Sequence, residues 1–289
     1  MAAFGPKVVV GFNDSLVCCL PALNFTGYAV SNDGGATFTD MGDPPFDVTV
    51  QPLGDPSVAV DDRGDFYFAS LAFNSAGLGA HSLLAFYTMP AGPTTFQLTS
   101  VPVAVGSAFI AFADKEYLAV GRDGDGKTHF YITWTSFTTN VPSPIMLTDA
   151  TDGVNWRTTM SSAANACAQG ATPVPAGGTL YVSWEQSVPA ASTDVTHTSA
   201  NAMMATVDVA RGTVQRITAI APINGSGDGV VAGNNASDLR EVTKRRPGTM
   251  CATSRCPPRR EMPTACSMRP GTTDRPAWVA TTATRRASS

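Results

Sequence analysis

The sequence predicts an all-β fold made of consecutive four-stranded antiparallel sheets, and three observations support this prediction. Only 15% of the 289 residues are charged, whereas 26 Gly and 21 Pro residues provide many turns. Apolar and polar residues alternate with a period of two, as in residues 180–184. One kind of hairpin also recurs along the chain, which is typical of repeat-built folds.

The repeated unit is an apolar strand, a turn containing Gly or Asp, and a second strand with an aromatic stripe. It occupies residues 55–70, 114–136 and 172–187. The copies share a tyrosine in the second strand: Tyr67, Tyr131 and Tyr181. A single hairpin cannot bury its apolar face, so we expect neighbouring copies to pack on one another. The period and the strand content are typical of the blades of a β-propeller.

A second motif lies between these hairpins. Residues 31–38 read Ser-Asn-Asp-Gly-Gly-Ala-Thr-Phe, and residues 150–156, Ala-Thr-Asp-Gly-Val-Asn-Trp, look like a shorter copy. This pattern resembles the Asp-box, Ser-x-Asp-x-Gly-x-Thr-Trp/Phe, of sialidases and other Asp-box (BNR) repeat proteins. The matching residues are Ser31, Asp33, Gly35, Thr37, Phe38, Asp152, Gly153 and Trp156.

The resemblance spans about residues 5–190 and implies a sialidase-like, six-bladed β-propeller. In such a fold each Asp-box is a structural turn between the outer strands of a blade. Its carboxylate and hydroxyl hydrogen-bond the turn backbone, and its aromatic residue packs beneath. About 220 residues at 50–60 per blade make about four blades. We therefore expect an incomplete ring with an exposed edge.

The resemblance implies hydrolysis of a glycosidic bond by a Tyr nucleophile with a Glu partner, an Asp acid/base and three Arg that hold a carboxylate. The Phe/Tyr-Arg-Ile-Pro motif of the first Arg is absent. Residues 1–239 contain five Arg: Arg63, Arg122, Arg157, Arg211 and Arg216. We therefore expect a sialidase-related, carbohydrate-acting protein that is inactive in this form. The alternative is a non-catalytic scaffold that binds glycan or protein, because propellers host many functions.

Asp55, Asp114 and Glu185 are the candidate catalytic carboxylates. Asp55 and Asp114 each precede the first apolar strand of their repeat, and equivalent positions on successive blades would face one mouth as acid and base. The simpler interpretation is that each caps its strand through local backbone hydrogen bonds. Glu185 follows an aromatic strand and faces either a central channel or solvent.

The sequence predicts no cofactor and no metal site. His81, His129 and His197 lack metal-ligand spacing, and the six cysteines fit no zinc pattern. Cys18 and Cys19 are adjacent and are expected to be free thiols. The sequence contains no uninterrupted apolar stretch of ~18 residues, so it predicts no membrane-spanning helix. The resemblance implies a glycan or surface polysaccharide as partner and an extracellular or cell-surface location, although no secretory signal pattern is present. No oligomeric state is indicated.

Charge divides the chain into two parts. Residues 1–239 carry 8 Lys/Arg and 20 Asp/Glu, a net charge of −12, whereas residues 240–289 carry 11 and 3, a net charge of +8. An acidic body argues against nucleic-acid binding. We expect 1–239 to hold the propeller blades and 240–289 to be a basic low-complexity tail. The tail is either a disordered arm for polyanions or the product of a shifted reading frame, and the abrupt boundary favours the latter.

Overall fold

The computed structural model describes residues 1–14, 24–47, 49–74, 81–107, 111–122, 126–138, 143–164, 166–187 and 200–223. Their regular structure is entirely β-strand. The described residues accordingly include no helix that could cross a membrane. Residues 240–289, together with Cys18 and Cys19, lie outside the described residues, so the predicted boundary at 239 and the predicted free thiols stay predictions.

The strands form four sheets in chain order. Sheet 1 contains β1 (Ala2–Phe4), β2 (Lys7–Asn13), β3 (Thr26–Ser31) and β4 (Thr39–Asp40). Sheet 2 contains β5 (Gln51–Val60), β6 (Phe66–Asn74), β7 (His81–Met89) and β8 (Gln97–Ser107). Sheet 3 contains β9 (Ala111–Arg122), β10 (Thr128–Thr138), β11 (Ile145–Ala150) and β12 (Arg157–Met160). Sheet 4 contains β13 (Cys167–Ala176), β14 (Thr179–Ser187), β15 (Ala200–Asp208) and β16 (Thr213–Ile223).

Every sheet is an antiparallel meander whose strands neighbour one another in sequence order. The predicted all-β fold with about four blades is confirmed. The three predicted hairpins are the first two strands of sheets 2, 3 and 4. The corresponding hairpin of sheet 1 turns at residues 5–6. The sequence pattern missed it because its first strand has only three residues.

The period-two alternation decides which neighbour each face of a strand meets. In β14, Leu180 and Val182 are fully buried against sheet 3, whereas Tyr181 between them is 38% exposed. The equivalent tyrosines are buried because a following sheet covers them: Tyr67 packs against sheet 3 and Tyr131 against sheet 4. The predicted separation of the two faces is therefore confirmed.

Each pair of neighbouring sheets encloses one apolar core. The Tyr28 ring of sheet 1 lies 5.0 Å from the Phe96 ring of sheet 2, and the Tyr67 ring lies 4.7 Å from the Phe130 ring of sheet 3. Such edge-to-face pairs add about 0.5–1.5 kcal/mol beyond the burial of their area. Among the described residues no core cluster joins sheet 4 to sheet 1, as expected of an incomplete ring.

Each sheet has two ends that differ in their backbone. At what we call the turn end, turns join the first strand to the second and the third to the fourth. Between β13 and β14 the turn is Gly177 and Gly178, with φ of 58° and 78°, a conformation that favours glycine. At the opposite end, which we call the bulge end, the first strands of sheets 2, 3 and 4 are interrupted by β-bulges.

Candidate functional site

The bulges occur at the same place in three consecutive sheets. The pairing shifts between Gly54 and Ser57 in β5, between Asp114 and Tyr117 in β9, and between Gln169 and Thr172 in β13. The bulged residues have left-handed backbone: Asp55 (φ 49°), Lys115 (φ 54°) and Gly170 (φ 68°). This conformation disfavours a residue with a Cβ by about 1–3 kcal/mol. Two sheets therefore hold a charged residue in a strained conformation, which is common at functional sites.

The register of the bulges corrects the predicted equivalence of Asp55 and Asp114. Asp55 is equivalent to Lys115, and Asp114 is equivalent to Gly54. Both acidic residues also lie inside strands rather than at strand entrances. The prediction was one residue out of register because each Asp precedes a similar apolar run, and only the partner strands reveal the inserted residue.

Asp55 links three sheets. Its Oδ2 lies 2.5 Å from Nζ of Lys115, and its Oδ1 accepts a hydrogen bond from Nδ2 of Asn13 at 3.1 Å. Its own N–H donates to Oδ1 of Asn13 at 2.6 Å. Burial by itself would raise the pKa of Asp55, but the bonds from Lys115 and Asn13 outweigh it, so this pKa is lowered. Burial by itself would lower the pKa of Lys115, but its bond to Asp55 favours the charged form, so this pKa is raised. The two side chains therefore form an ionised pair.

Asp114 is partly buried beside this pair. Its Oδ1 accepts the N–H of Lys115 at 2.9 Å, which is the kind of local backbone bond that the simpler interpretation of the sequence predicts. Burial raises the pKa of Asp114, and the negative charge of Asp55 raises it further against the opposing charge of Lys115. Asp114 and Asp55 thus influence each other's protonation at one site.

Glu116 is the candidate that the sequence analysis missed. The residue is 2% exposed, and neither carboxyl oxygen has a hydrogen-bonding partner among the described residues. Burial raises its pKa well above the ordinary value, and the negative charges of Asp55 and Asp114 raise it further. The equivalent residues, Pro56 and Ala171, are apolar. When the bulged strands of the three sheets are aligned, Glu116 is the only carboxyl group at a position that is otherwise apolar. This difference is the signal that could have identified it.

We call Asn13, Asp55, Asp114, Lys115 and Glu116 the bulge cluster. It combines a carboxylate whose pKa is lowered, Asp55, with two carboxyl groups whose pKa is raised, Asp114 and Glu116. Neighbouring carboxyl groups with pKa values pushed apart are the arrangement that acid/base chemistry uses. Among the described residues, no three His, Cys, Asp or Glu side chains are grouped closely enough to hold a metal ion.

Glu185 lies apart from the bulge cluster, on the face of sheet 4 that no described sheet covers. Its position corresponds to Asn13, Leu71 and Thr135, which lie on the faces of sheets 1, 2 and 3 toward the next sheet. Asn13 at this position binds the bulge of sheet 2. Glu185 is half-buried, and this burial raises its pKa. Its position predicts contacts with a following sheet rather than with Asp55 or Asp114.

Three of the arginines pair with carboxylates at the turn end. Their partners are Asp62 for Arg122, Asp149 for Arg157 and Asp208 for Arg211. The Arg122–Asp62 pair joins sheets 2 and 3 with a distance of 2.5 Å. These guanidinium groups are therefore at the opposite end of the sheets from the bulge cluster.

The turn at residues 31–38 joins the third and fourth strands of sheet 1. Oγ of Ser31 accepts the N–H of Gly35 at 2.9 Å. Oδ1 of Asp33 accepts the N–H of Thr37 at 2.9 Å, and its Oδ2 accepts the Thr37 hydroxyl at 2.6 Å. These bonds, those of Thr37 first, lower the pKa of Asp33. The Phe38 ring lies against Gly35 of the turn, with atoms 3.9 and 4.0 Å from where a Cβ on Gly35 would be, and 46% of Phe38 is exposed.

The shorter turn at residues 151–156 joins the third and fourth strands of sheet 3. Oδ1 of Asp152 accepts the N–H groups of Val154 at 2.9 Å and Asn155 at 2.7 Å. Together with the Asn155 side chain, these bonds lower the pKa of Asp152 to about 2. The Trp156 ring packs edge-on against Phe86 of sheet 2, at 5.0 Å. Phe38 differs from Trp156 because no described sheet precedes sheet 1.

Comparisons with known proteins place the fold. No family model matches the chain. No curated protein matches it by sequence. An α-L-arabinanase of Penicillium chrysogenum complexed with arabinobiose is similar in structure, with a TM-score of 0.53, 11% identity, and coverage of 73% of this chain and 63% of that one. A GH93 α-L-arabinofuranosidase of Fusarium graminearum complexed with arabinobiose has a TM-score of 0.50, 13% identity, and coverage of 71% and 59%.

This chain spans about three-fifths of the length of these two solved structures. At 11 and 13% identity the likeness shows the fold alone. The chain is a β-propeller with four described blades, and its architecture is that of propeller glycosidases.

Proposed function

We propose that this chain is a carbohydrate-acting propeller of glycosidase ancestry, related to the sialidases, and that its glycan site is the bulge cluster. The observation that carries the proposal is the pair of Asp55, whose pKa is lowered, and the buried Glu116 beside it, whose pKa is raised well above its ordinary value, together with the raised pKa of Asp114. Glycoside hydrolysis generally uses two carboxyl groups in opposite protonation states. The likeness to propeller glycosidases supports the same class of ligand.

The ligand that this cluster fits best is an uncharged glycan. The single lysine of the cluster, Lys115, is already paired with Asp55, so the cluster offers no free positive charge to an acidic sugar. An acidic sugar is normally held by guanidinium groups, which pair with carboxylates in a bidentate manner. Arg122, Arg157 and Arg211 are paired elsewhere. We therefore expect no hydrolysis of a sialoside.

The remaining parts of the proposal follow the resemblance. The hydrogen bonds of Asp33 and Asp152 support the assignment of residues 31–38 and 150–156 as Asp-boxes. An extracellular or cell-surface location accords with a ligand of this class. Because the Phe/Tyr-Arg-Ile-Pro motif of the sialidases is absent, we expect weak turnover or none in this form.

A non-catalytic glycan-binding scaffold is the alternative, and the burial of Glu116 favours it. The carboxyl oxygens of Glu116 are inaccessible among the described residues. The charge of Asp55 is already neutralised by Lys115. A binding site needs neither a free nucleophile nor a reachable acid, whereas catalysis needs the acid within hydrogen-bonding distance of the substrate.

A panel of fluorogenic glycosides tests the proposal. The panel contains an α-L-arabinofuranoside, a β-xyloside, a β-galactoside and an α-sialoside, and calorimetry with arabinobiose measures binding separately. For an enzyme we expect turnover of an uncharged member, reduced at least ~100-fold in kcat/KM by Asp114→Asn. The matched control, Asp62→Asn, removes a carboxylate at the turn end and should leave turnover unchanged.

Binding without turnover, weakened by Asp114→Asn, identifies the scaffold. If the folded chain neither binds nor hydrolyses any uncharged sugar, that result contradicts a glycan site at the bulge cluster. Turnover of the sialoside alone contradicts the proposed ligand class.

A further inference from the structure

Two faces of the described sheets have no neighbouring sheet. The sheet 1 face consists of Val8, Val10, Phe12 and Ala29, with Phe38 at its edge. The sheet 4 face consists of Thr172, Val174, Tyr181, Ser183 and Glu185. Val174 is 52% exposed, Phe38 46% and Tyr181 38%. Apolar side chains of this size on two uncovered sheet faces are typical of interaction surfaces.

The three described junctions between sheets all use the same positions. One side of a junction is built around Val9, Tyr67 or Tyr131 on the face toward the following sheet. The other side is built around the pairs Phe66 and Phe68, Phe130 and Ile132, or Leu180 and Val182 on the face toward the preceding sheet. Tyr181 of sheet 4 is equivalent to the residues that face a following sheet. Val8 and Val10 of sheet 1 are equivalent to the pairs that face a preceding sheet. The two uncovered faces are therefore the two complementary halves of a fourth junction.

The polar residues of the sheet 4 face also suit a covered position. Ser183 corresponds to Thr133, which is fully buried between sheets 3 and 4 and donates its hydroxyl to the carbonyl of Ala171 at 2.6 Å. Glu185 corresponds to Asn13, which bonds the bulge of the next sheet. A serine hydroxyl and a glutamate can make bonds of the same kind, so neither residue prevents the packing.

We propose that the sheet 4 face of one copy of this chain packs on the sheet 1 face of a second copy, head to tail. Residues 240–289 contain no Leu, Ile, Phe or Tyr, and only 16 residues separate them from the end of β16. Residues 240–289 are therefore not expected to supply a covering sheet. The complementary half of the junction is present on the chain itself.

A head-to-tail contact uses a different surface on each partner. A pair then keeps one free sheet 1 face on one copy and one free sheet 4 face on the other, so association grows with concentration beyond a pair unless a ring closes. A face-to-face dimer of two sheet 4 faces would use one surface only. The two arrangements respond differently to substitutions confined to one face.

Sedimentation of the full chain between about 1 and 100 μM tests the proposal. The variants are Tyr181→Glu on the sheet 4 face and Val10→Glu on the sheet 1 face, with Val154→Glu in an exposed turn of sheet 3 as the matched control. We expect wild type and Val154→Glu to associate, and each face variant alone to associate at least about tenfold more weakly. An equimolar mixture of the two face variants should form a one-to-one pair that grows no further, because each retains the face that the other lacks.

A wild-type chain that stays monomeric overturns the proposal and leaves the faces for sheets of another polypeptide. Association of Val10→Glu at wild-type strength also overturns it, because the sheet 4 face then acts alone. Circular dichroism checks that each variant is folded. If Tyr181→Glu or Val10→Glu unfolds, Val174→Glu and Phe38→Glu replace them at the more exposed positions of the same two faces.

Discussion

The turn end and the bulge end of these sheets differ in whether their buried carboxyl groups have bonding partners. At the turn end, Asp149 is 4% exposed and has two partners: Nε2 of His129 at 2.9 Å and a terminal nitrogen of Arg157 at 2.8 Å. The same nitrogen of Arg157 donates to the carbonyl of Val209 at 3.1 Å and so joins sheet 3 to sheet 4. At the bulge end, Glu116 is buried to the same degree without a hydrogen-bonding partner among the described residues.

The difference separates stabilising groups from candidate functional groups. Lys7 at the turn end also bonds the next sheet, through the carbonyls of Ala91 and Pro93. At the bulge end, Asp55 and Lys115 have left-handed backbone. A buried carboxyl group without a hydrogen-bonding partner and a strained backbone both oppose folding, so their presence at one end indicates a role other than stability.

Removing Asp149 is expected to have the largest effect on stability. Asp149→Ala leaves the buried imidazole of His129 and the guanidinium of Arg157 without their shared partner, and we expect a loss of about 3 kcal/mol in the free energy of unfolding. Urea unfolding at pH 7 measures it. Asp149→Asn keeps an acceptor and should lose less, and Asp62→Asn, in an exposed pair, should show no measurable change. A loss below about 1 kcal/mol for Asp149→Ala would show that the turn-end network does not hold sheets 3 and 4 together.

Removing the buried carboxyl group at the bulge end should instead increase the free energy of unfolding. Glu116→Leu replaces an unpartnered buried carboxyl with an apolar group of similar size, and we expect a gain of about 1–3 kcal/mol. Glu116→Gln should gain less because its amide also lacks partners. Any turnover should fall in both variants, because both lack the carboxyl group. A stability loss in Glu116→Leu would mean that the carboxyl is satisfied in the folded protein.

A pH series sharpens the comparison further. The folded pKa of Glu116 lies above its ordinary value of 4.5, so its contribution to stability is complete below pH 4.5 and is lost as the pH rises through the folded pKa. The pKa of Asp114 is also raised, so its contribution to stability is likewise lost as the pH rises. Asp55 has the opposite sign, since its pKa is lowered: its contribution is present above pH 3.8 and is lost as the pH falls through the folded pKa.

The measurement is the free energy of unfolding of wild type and Glu116→Gln from pH 4 to 8. Above pH 4.5, wild type should lose stability relative to Glu116→Gln by up to about 1.4 kcal/mol per pH unit, until the folded pKa is passed. Parallel curves for the two proteins would contradict a raised pKa of Glu116 in the folded state.

The features that were predictable from the sequence depend on neighbours along the chain. The alternation of Leu180, Tyr181 and Val182 follows from strand geometry, which puts successive side chains on opposite faces. The turn bonds of Asp33 and Asp152 join residues within four positions of each other. Such features need no knowledge of the rest of the fold.

Glu116 and the pairing of Asp55 with Lys115 were not predictable in this way. Asp55 and Lys115 are 60 residues apart, and their contact depends on how two sheets stack. Each bulge adds a residue to one strand only, so the equivalence of positions appears only when the partner strand is known. The sequence pattern consequently aligned Asp55 with Asp114 and passed over Glu116.

By itself the sequence determined the all-β class, the number of blades and the faces of their strands, because period-two alternation and turn chemistry are local. Tertiary structure alone decided which charges meet at the bulge end and which apolar faces stay uncovered. Both depend on the stacking of one sheet on the next, where burial changes the pKa of a carboxyl group and a neighbouring sheet decides whether a tyrosine such as Tyr67 or Tyr181 is core or surface.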